Sequence, residues 1–430
     1  MKARFALILL AAAATAPLAA AQDRIVVFVF DQSADNLLRI EDINNNGVTT
    51  DPGEVVRYFA GAVPLTGVTN AQGLYALDAK TVLATDNFVP DNVILLSDTS
   101  GDNDALDGGE SSVWWNGMIP VGVGMLTNPV NLTRGPGGAY YIIDNNTLDT
   151  TNPEAVYRVE DQNNDNDVND PGEVQLYFQL SPVGVSNTTT FDIEFDAAGA
   201  GYVVDITDPN QIESIDRIDP TASFKTEWVS SSTLFALTNL IIFSSFELTY
   251  NPNTDEIIAP LADGFSGLSR IVGLCDRNGS NTINAANEVR LLWGEGLNAD
   301  GVAGSPRDLF YYEGDGSIVF VDSGDDTVIR LYDANGDGDY NDLGETTVIY
   351  DSAIASANGQ PAAEGLLSVA VARADIPCPA DLDGDGQVGP ADLGALLGSW
   401  GMMGVPADFD GGGVGPSDLG TLLGSWGPCP

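Results

Sequence analysis

Five stretches of the chain open on Asp and close on Glu twelve residues later: Asp42–Glu54, Asp98–Glu110, Asp161–Glu173, Asp276–Glu288 and Asp333–Glu345. Between those ends, oxygen-bearing side chains fall on alternate positions. The third is Asn44, Ser100, Asn163, Asn278 or Asn335, and the fifth is Asn46, Asp102, Asp165, Ser280 or Asp337. The sixth is Gly47, Asn103, Asn166, Asn281 or Gly338, residue types that tolerate positive φ and let the chain wrap tightly. Oxygens at alternate positions of such a turn converge on one point, and a later carboxylate closes the shell; this is how calcium is held. Asp167 and Asp339, at the seventh position, are placed to add a main-chain carbonyl. The same residues without an ion would make Asx-rich turns.

Apolar runs flank each loop, as Val328–Tyr332 and Thr346–Tyr350 flank the last. These runs read as strands, and the closing Glu comes one residue later than in an EF-hand, whose flanks are helices. Each loop is therefore expected at the tip of a β-hairpin. The loop starts recur at roughly 57 residues or twice that, and repeats of about this size with four strands each mark propeller blades. The skipped unit falls near residue 219, where SIDRIDPTASFKTEWVSS reads as the same hairpin with its loop cut away. Four strands are expected in the third unit (Val130–Arg134, Ala139–Asp144, Ala155–Asp161, Glu173–Phe178) and in the sixth (Asp308–Glu313, Ser317–Asp322, Val328–Asp333, Thr346–Asp351). The first has only Ile25–Asp31, Leu37–Asp42 and Glu54–Phe59; Leu366–Arg373 is the spare strand that would complete it and leave no open edge. The pattern resembles six-bladed β-propellers in general, which host binding proteins, lactonases, lyases and glycosidases alike. An open β-sandwich array is the alternative. No amphipathic helix is expected before residue 380. Asp31, Asp86, Asp144, Asp205, Asp263 and Asp322 recur at the ends of second strands, either as a ring of carboxylates or as turn starters.

The 430 residues suffice for one large and one small domain: a signal peptide over 1–21, a propeller over 22–373, a joint over 374–377 and a module over 378–430. Lys2 and Arg4 precede the apolar run Phe5–Leu10, and Ala19–Ala21 suits cleavage, so the protein is expected outside the cell or on its surface. No later stretch is apolar enough to span a membrane. The 62 acidic against 16 basic residues, a formal charge of −46, argue against nucleic acid and fit cation binding. Histidine is absent, which removes Ser-His-Asp chemistry and His-ligated metals. Cys275 stands among apolar neighbours and is expected to be buried.

Two near copies fill the C-terminus, ADLDGDGQVGPADLGALLGSWG from Ala380 and ADFDGGGVGPSDLGTLLGSWG from Ala407. Each is an acidic loop followed by a short apolar helix, Ala391–Trp400 and Ser417–Trp426. Leu393, Leu396, Leu397 and Trp400 form one stripe, and Leu419, Leu422, Leu423 and Trp426 the other; the two are expected to bury each other. Over about the last fifty residues this resembles a dockerin, of the type at the C-termini of secreted planctomycete proteins. The resemblance implies calcium at Asp381, Asp383, Asp385, the Gln387 carbonyl and Asp392. Asp408, Asp410 and Asp418 match the second loop, which lacks a fifth-position acid and is one residue shorter. It also implies a cohesin-like partner on a scaffold or cell surface. Cys378 and Cys429 bracket the copies and, in a secreted chain, are expected to form a disulfide.

The fold class expected is thus all-β, a six-bladed propeller with calcium hairpins, followed by a small α-helical dockerin-like module. The leading function is a secreted calcium-binding propeller that presents a binding face and is anchored by that module. The alternative is an enzyme cleaving a polysaccharide or a lactone, carried by the same anchor. Exposed Trp114, Trp115, Tyr311 and Tyr312 would favour the first, and a deep cleft with a spaced carboxyl pair the second.

Overall fold

The structure, a computed structural model, describes residues 23–44, 46–60, 72–86, 91–117, 126–145, 154–180, 190–205, 213–219, 221, 225–242, 247–374, 378–382, 387–403, 405–409 and 412–428. The expected signal peptide, residues 375–377 of the joint, Asp383, Asp385, Asp410 and Cys429 lie outside the described residues. The chain divides into two compact units, Met1–Arg373 and Ala374–Pro430.

In the first unit, strands pair with their sequence neighbours into six antiparallel sheets. Blade one holds Leu366–Arg373, Ile25–Asp31, Asn36–Glu41 and Val55–Ala60. Blade two holds Leu74–Asp78, Thr81–Asp86, Asn92–Ser97 and Ser111–Asn116. Blade three holds Pro129–Arg134, Tyr140–Asp144, Ala155–Val159 and Val174–Gln179. Blade four holds Thr190–Phe195, Gly201–Asp205, Ser214–Ile218 and Thr226–Ser230. Blade five holds Glu256–Asp263, Ser269–Leu274 and Val289–Gly294, and its innermost place is shared by two short strands, Leu240–Ile241 and Thr249–Asn251. Blade six holds Pro306–Tyr312, Ser317–Asp322, Thr327–Leu331 and Thr346–Asp351. The innermost strands of successive blades touch in a closed cycle, so the unit is a six-bladed β-propeller.

Closure follows the sequence. Ile25 pairs with Arg373 and Phe30 with Ser368, so the last strand lies against the first. Every residue of Ile25–Asp31 and Ser317–Asp322 is buried, as continuous apolar runs between two neighbouring blades should be. The hydrophobic cores lie between blades: Val29, Leu38, Val319 and Val369 pack together at the seam of blades six and one, and Trp293, Phe320 and Ile329 at that of blades five and six. Blade four forms the hairpin expected near residue 219, with Arg217 opposite Thr226.

Two short helices stand where none was expected, Ser231–Thr238 and Ser352–Ala357. The first buries only Leu234 and has no amphipathic stripe for a period search to find; the second is one capped turn, with Asp351 accepting the Ile354 N–H. No helix among the described residues is long and apolar enough to cross a membrane.

In the second unit the helices run Pro390–Gly398 and Pro416–Gly424, shifted towards the N-terminus because proline occupies the first turn of each. Leu396 and Leu422 are buried, with Leu393 and Leu419 packed against them. The expected mutual burial of the whole stripes fails: Leu397, Trp400, Leu423 and Trp426 are exposed, Trp400 by 46% and Trp426 by 48%. Helices of nine residues bury one narrow line, and the next position round the helix is left outside.

Candidate functional site

All five loops share one hydrogen-bond plan, built from their terminal acids. The first Asp spans the turn with both oxygens. Asp42 accepts from Asn46 N at 3.0 Å and Gly47 N at 2.6 Å. Asp98 accepts from Gly101 N and Asn103 N, and Asp161 from Asn164 N and Asn166 N. Asp276 accepts from Ser280 N and Asn281 N, and Asp333 from Gly336 N at 2.6 Å and Gly338 N at 2.9 Å. The sixth residue has positive φ in every copy, as its type required: Gly47, Asn103, Asn166, Asn281 and Gly338. The fourth does so too at Gly101, Asn164, Gly279 and Gly336, a second left-handed position that the sequence reading missed.

The closing Glu is buried in each loop (Glu54, Glu110, Glu173, Glu288, Glu345) and draws its two ends together. One oxygen accepts from the second or third residue, and the other from the residue three before the Glu itself. In the last loop these donors are Ala334 N at 3.0 Å, Asn335 N at 3.3 Å and Asp342 N at 3.1 Å. The second unit repeats the device in both copies. Asp392 accepts from Leu382 N at 2.6 Å and Gly389 N at 2.7 Å, and Asp418 from Phe409 N at 2.7 Å and Gly415 N at 2.8 Å. Asp408 accepts from Gly413 N, Asp381 N donates to Cys378 O, and Gln387 pairs with Pro428 in a short ladder.

These bonds leave acceptor capacity on the loop acids. An ionised carboxylate offers about four lone-pair sites, and main-chain donors take only a few of them. The mid-loop groups are drawn together as well. Asn163 donates to Asp165 and Asp170, and Asn335 to Asp337 and Asp342, so one amide sits between two carboxylates in each case. Asn44 and Asn46 both donate to Asp51, and Asn278 donates to Asn284. Ser100 bonds the first Asp of its own loop, and Ser280 bonds Thr282. The donor set is entirely oxygen. In the second loop, oxygens of Asp102, Asp104 and Glu110 lie within 4.8 Å of one another, about twice a calcium–oxygen bond. The residues present therefore fit calcium. Two contributors escaped the sequence reading: Asp104 at the seventh position, and the tenth-position acid Asp51, Asp107, Asp170 or Asp342. Its recurrence three residues before the Glu was the signal; the remaining copy has Ala285 there.

Elsewhere the sequence-selected groups behave differently. Trp114, Trp115, Tyr311 and Tyr312 are buried between blades and do not form an exposed aromatic face. Cys275 is a half-buried free thiol at a seam cavity of about 170 Å³ lined also by Tyr202, Trp228 and Asp276. Cys378 packs against the small core of the second unit, and its expected partner Cys429 lies outside the described residues. Of the recurrent acids at second-strand ends, Asp263 starts a turn, accepting from Phe265 N and Ser266 N, and three others bracket the backbone. Asp144 accepts from Asn128 N at 2.7 Å, Asp322 from Ser305 N at 3.0 Å and Asp31 from Glu364 N at 3.1 Å, each tying down the segment that enters an innermost strand. Asp205 instead pairs with Lys225.

A buried acid cluster on and beside the innermost strands was not anticipated. The Asn131 amide donates to both Asp192 and Glu247, Asp192 also accepts from Leu248 N, and Asp308 accepts from Val369 N at 2.6 Å. Burial pushes the Asp192 carboxyl up to about 7 and holds Glu247 and Asp308 well above the usual carboxylate range. No sequence signal marks these acids among 62, since only the ring brings blades three to six to one axis.

No protein-family model matches the chain, and no curated protein does. Solved structures of similar shape include an aldose sugar dehydrogenase from Streptomyces coelicolor in its PQQ-bound form (12% identity, TM-score 0.42, covering 72% of this chain and 86% of that one). A gluconolactonase from Xanthomonas campestris is another (13%, TM-score 0.38, 65% and 75%), as is the hydrazine synthase of Kuenenia stuttgartiensis (12%, TM-score 0.41, 82% and 93%).

Proposed function

We propose that this is a secreted propeller stiffened by calcium at its five hairpin loops, which presents a binding face and is anchored through a dockerin-like C-terminal module to a cohesin-like scaffold or cell-surface protein. The observation that carries this reading is the common plan of the loops, in which the first Asp and the thirteenth Glu hold the backbone; in the Asp161 and Asp333 loops the third-position amide also draws the fifth- and tenth-position carboxylates together. Crowded carboxylates repel at a hairpin tip, and a divalent cation relieves that repulsion. With the expected aromatics buried, Phe265, which is 77% exposed and packs at 5.6 Å from Phe235, is the contact we assign to the binding face. Pairing of Cys378 with Cys429 would clasp the ends of the module, a loop worth about 4 kcal/mol.

Millimolar calcium should raise the melting temperature over that in chelator, by about 2.7 kcal/mol of stability at a hundredfold excess over Kd. Identical melting in the two conditions would leave the loops as polar turns. Deleting 374–430 should leave the propeller folded and abolish its retention at the cell surface; retention of the truncated protein would reject the anchor.

The Asn131–Asp192–Glu247 cluster favours a second reading, an enzyme acting on a glycan or lactone, because a proton shared between buried carboxyls is an acid poised near neutral pH. A glycan and lactone panel assayed with the native chain and Asp192→Asn separates the two: turnover lost on substitution supports catalysis, and no turnover at all supports binding.

A further inference from the structure

The outermost strand of each blade carries one β-bulge, and the bulged residue is Tyr58, Trp114, Tyr177, Trp228, Leu292 or Ile349 in blades one to six. A bulge leaves one residue without a ladder partner. At five seams its carbonyl is taken by the next blade's loop, always through the backbone N–H of the eighth residue. Ala105 donates to Tyr58 at 2.7 Å, Val168 to Trp114 at 2.9 Å, Ile283 to Trp228 at 2.9 Å and Tyr340 to Leu292 at 2.8 Å. Across the ring closure, Thr49 donates to Ile349 at 3.2 Å. All five eighth residues are buried. In two loops the ninth residue extends the contact, Asn169 accepting from Asn116 N and Asn341 from Gly294 N.

The seam between blades three and four differs. Blade four lacks the loop, and Tyr177 of blade three packs instead against Tyr141 and against Phe195 of blade four, with centroids at 4.8 and 5.9 Å.

We infer that the five loops are clasps between blades, that a divalent cation bound in a loop tightens the seam which that loop closes, and that the seam between blades three and four is held without metal. The inference rests on the calcium reading of the loops and adds a mechanism to it. The seventh residue's carbonyl is the expected main-chain ligand, and the eighth residue's N–H is the clasp. These two groups are opposite ends of one planar peptide unit. Ligation at the oxygen fixes the orientation of the N–H and polarises it as a donor. Seam and ion site are therefore coupled through a single rigid group, without any movement of the blades.

Amide hydrogen exchange on the full chain reads this directly. In chelator, the amides of Thr49, Ala105, Val168, Ile283 and Tyr340 should exchange about tenfold faster than in millimolar calcium, the mark of weakened local closure. Amides of Tyr177 and Phe195 should change little. Asp276→Ala should accelerate Ile283 alone, and Asp98→Asn should accelerate Ala105 alone. Calcium binding measured by calorimetry on the same samples separates the two readings. If calcium binds and the five amides do not respond, or if each single-loop variant accelerates all five equally, the clasp is overturned while the calcium-binding propeller stands. If calcium does not bind, both fall.

Discussion

At the scale of single residues, the protein contains two populations of acids, those of the hairpin loops and those buried among the strands. Loop acids such as Asp333 and Glu345 accept main-chain N–H donors in their charged form, and protonation removes the charge a cation needs. Burial drives the Asp192 and Asp144 carboxyls up to about 7 and about 6, and it raises Glu345 as well. A carboxyl whose folded-state pKa is raised adds stability that is complete below its unfolded value near 4 and is lost as pH rises through the folded value. In chelator, the protein should therefore melt higher at pH 5 than at pH 8, and Asp192→Asn should flatten that slope. In millimolar calcium the trend should weaken, because acidification strips the loops. A chelated protein that melts higher at pH 8 would contradict the assignment. The first- and thirteenth-position loop acids were legible from spacing alone, as was the positive φ of the sixth residue, whereas Asp104 and the tenth-position acids were not. Asp192, Glu247 and Asp308 were not, because their nearness is a product of ring closure and leaves no local pattern.

Among elements, the hairpin with its loop is the unit that recurs, and blade four provides an internal control. Asp333→Ala removes the acceptor for Gly336 and Gly338 and the first-position ligand of the proposed ion, so it should cost roughly 1–2 kcal/mol in calcium and less in chelator. Asp219→Ala, at a hairpin where Asp219 accepts from Thr221, should change melting equally in both. Equal calcium dependence in the two variants would detach the effect from the loops. Strands were readable to within a residue or two, since Val, Ile, Tyr and Phe runs end on Asn, Asp and Gly. The outer-strand bulges were not, because a skipped partner such as Trp114 or Leu292 has the same composition as a paired one. The exposed Leu397, Trp400, Leu423 and Trp426 show the converse. Helical spacing established that they share a face, but not how much of that face a nine-residue helix can cover.

For the whole molecule, the pairing of Ile25–Asp31 with Leu366–Arg373 has a kinetic meaning. A ribosome delivers the first of these strands hundreds of residues before the second. Until then blade one has three strands, and IVVFVF is an unpaired edge of high β-propensity, the kind of segment that pairs with other chains. Closing a loop of that length costs about 5 kcal/mol in chain entropy, and the ring cannot recover it before the last strand arrives. Translation thus imposes a long vulnerable interval, and release of the completed chain from a translocation channel in one episode would shorten it. Chains ending at Gly365 should remain protease-sensitive and aggregate, whereas chains ending at Arg373 should resist digestion. Equal resistance would mean that the ring holds without its final strand, and that blade one can wait open at no cost.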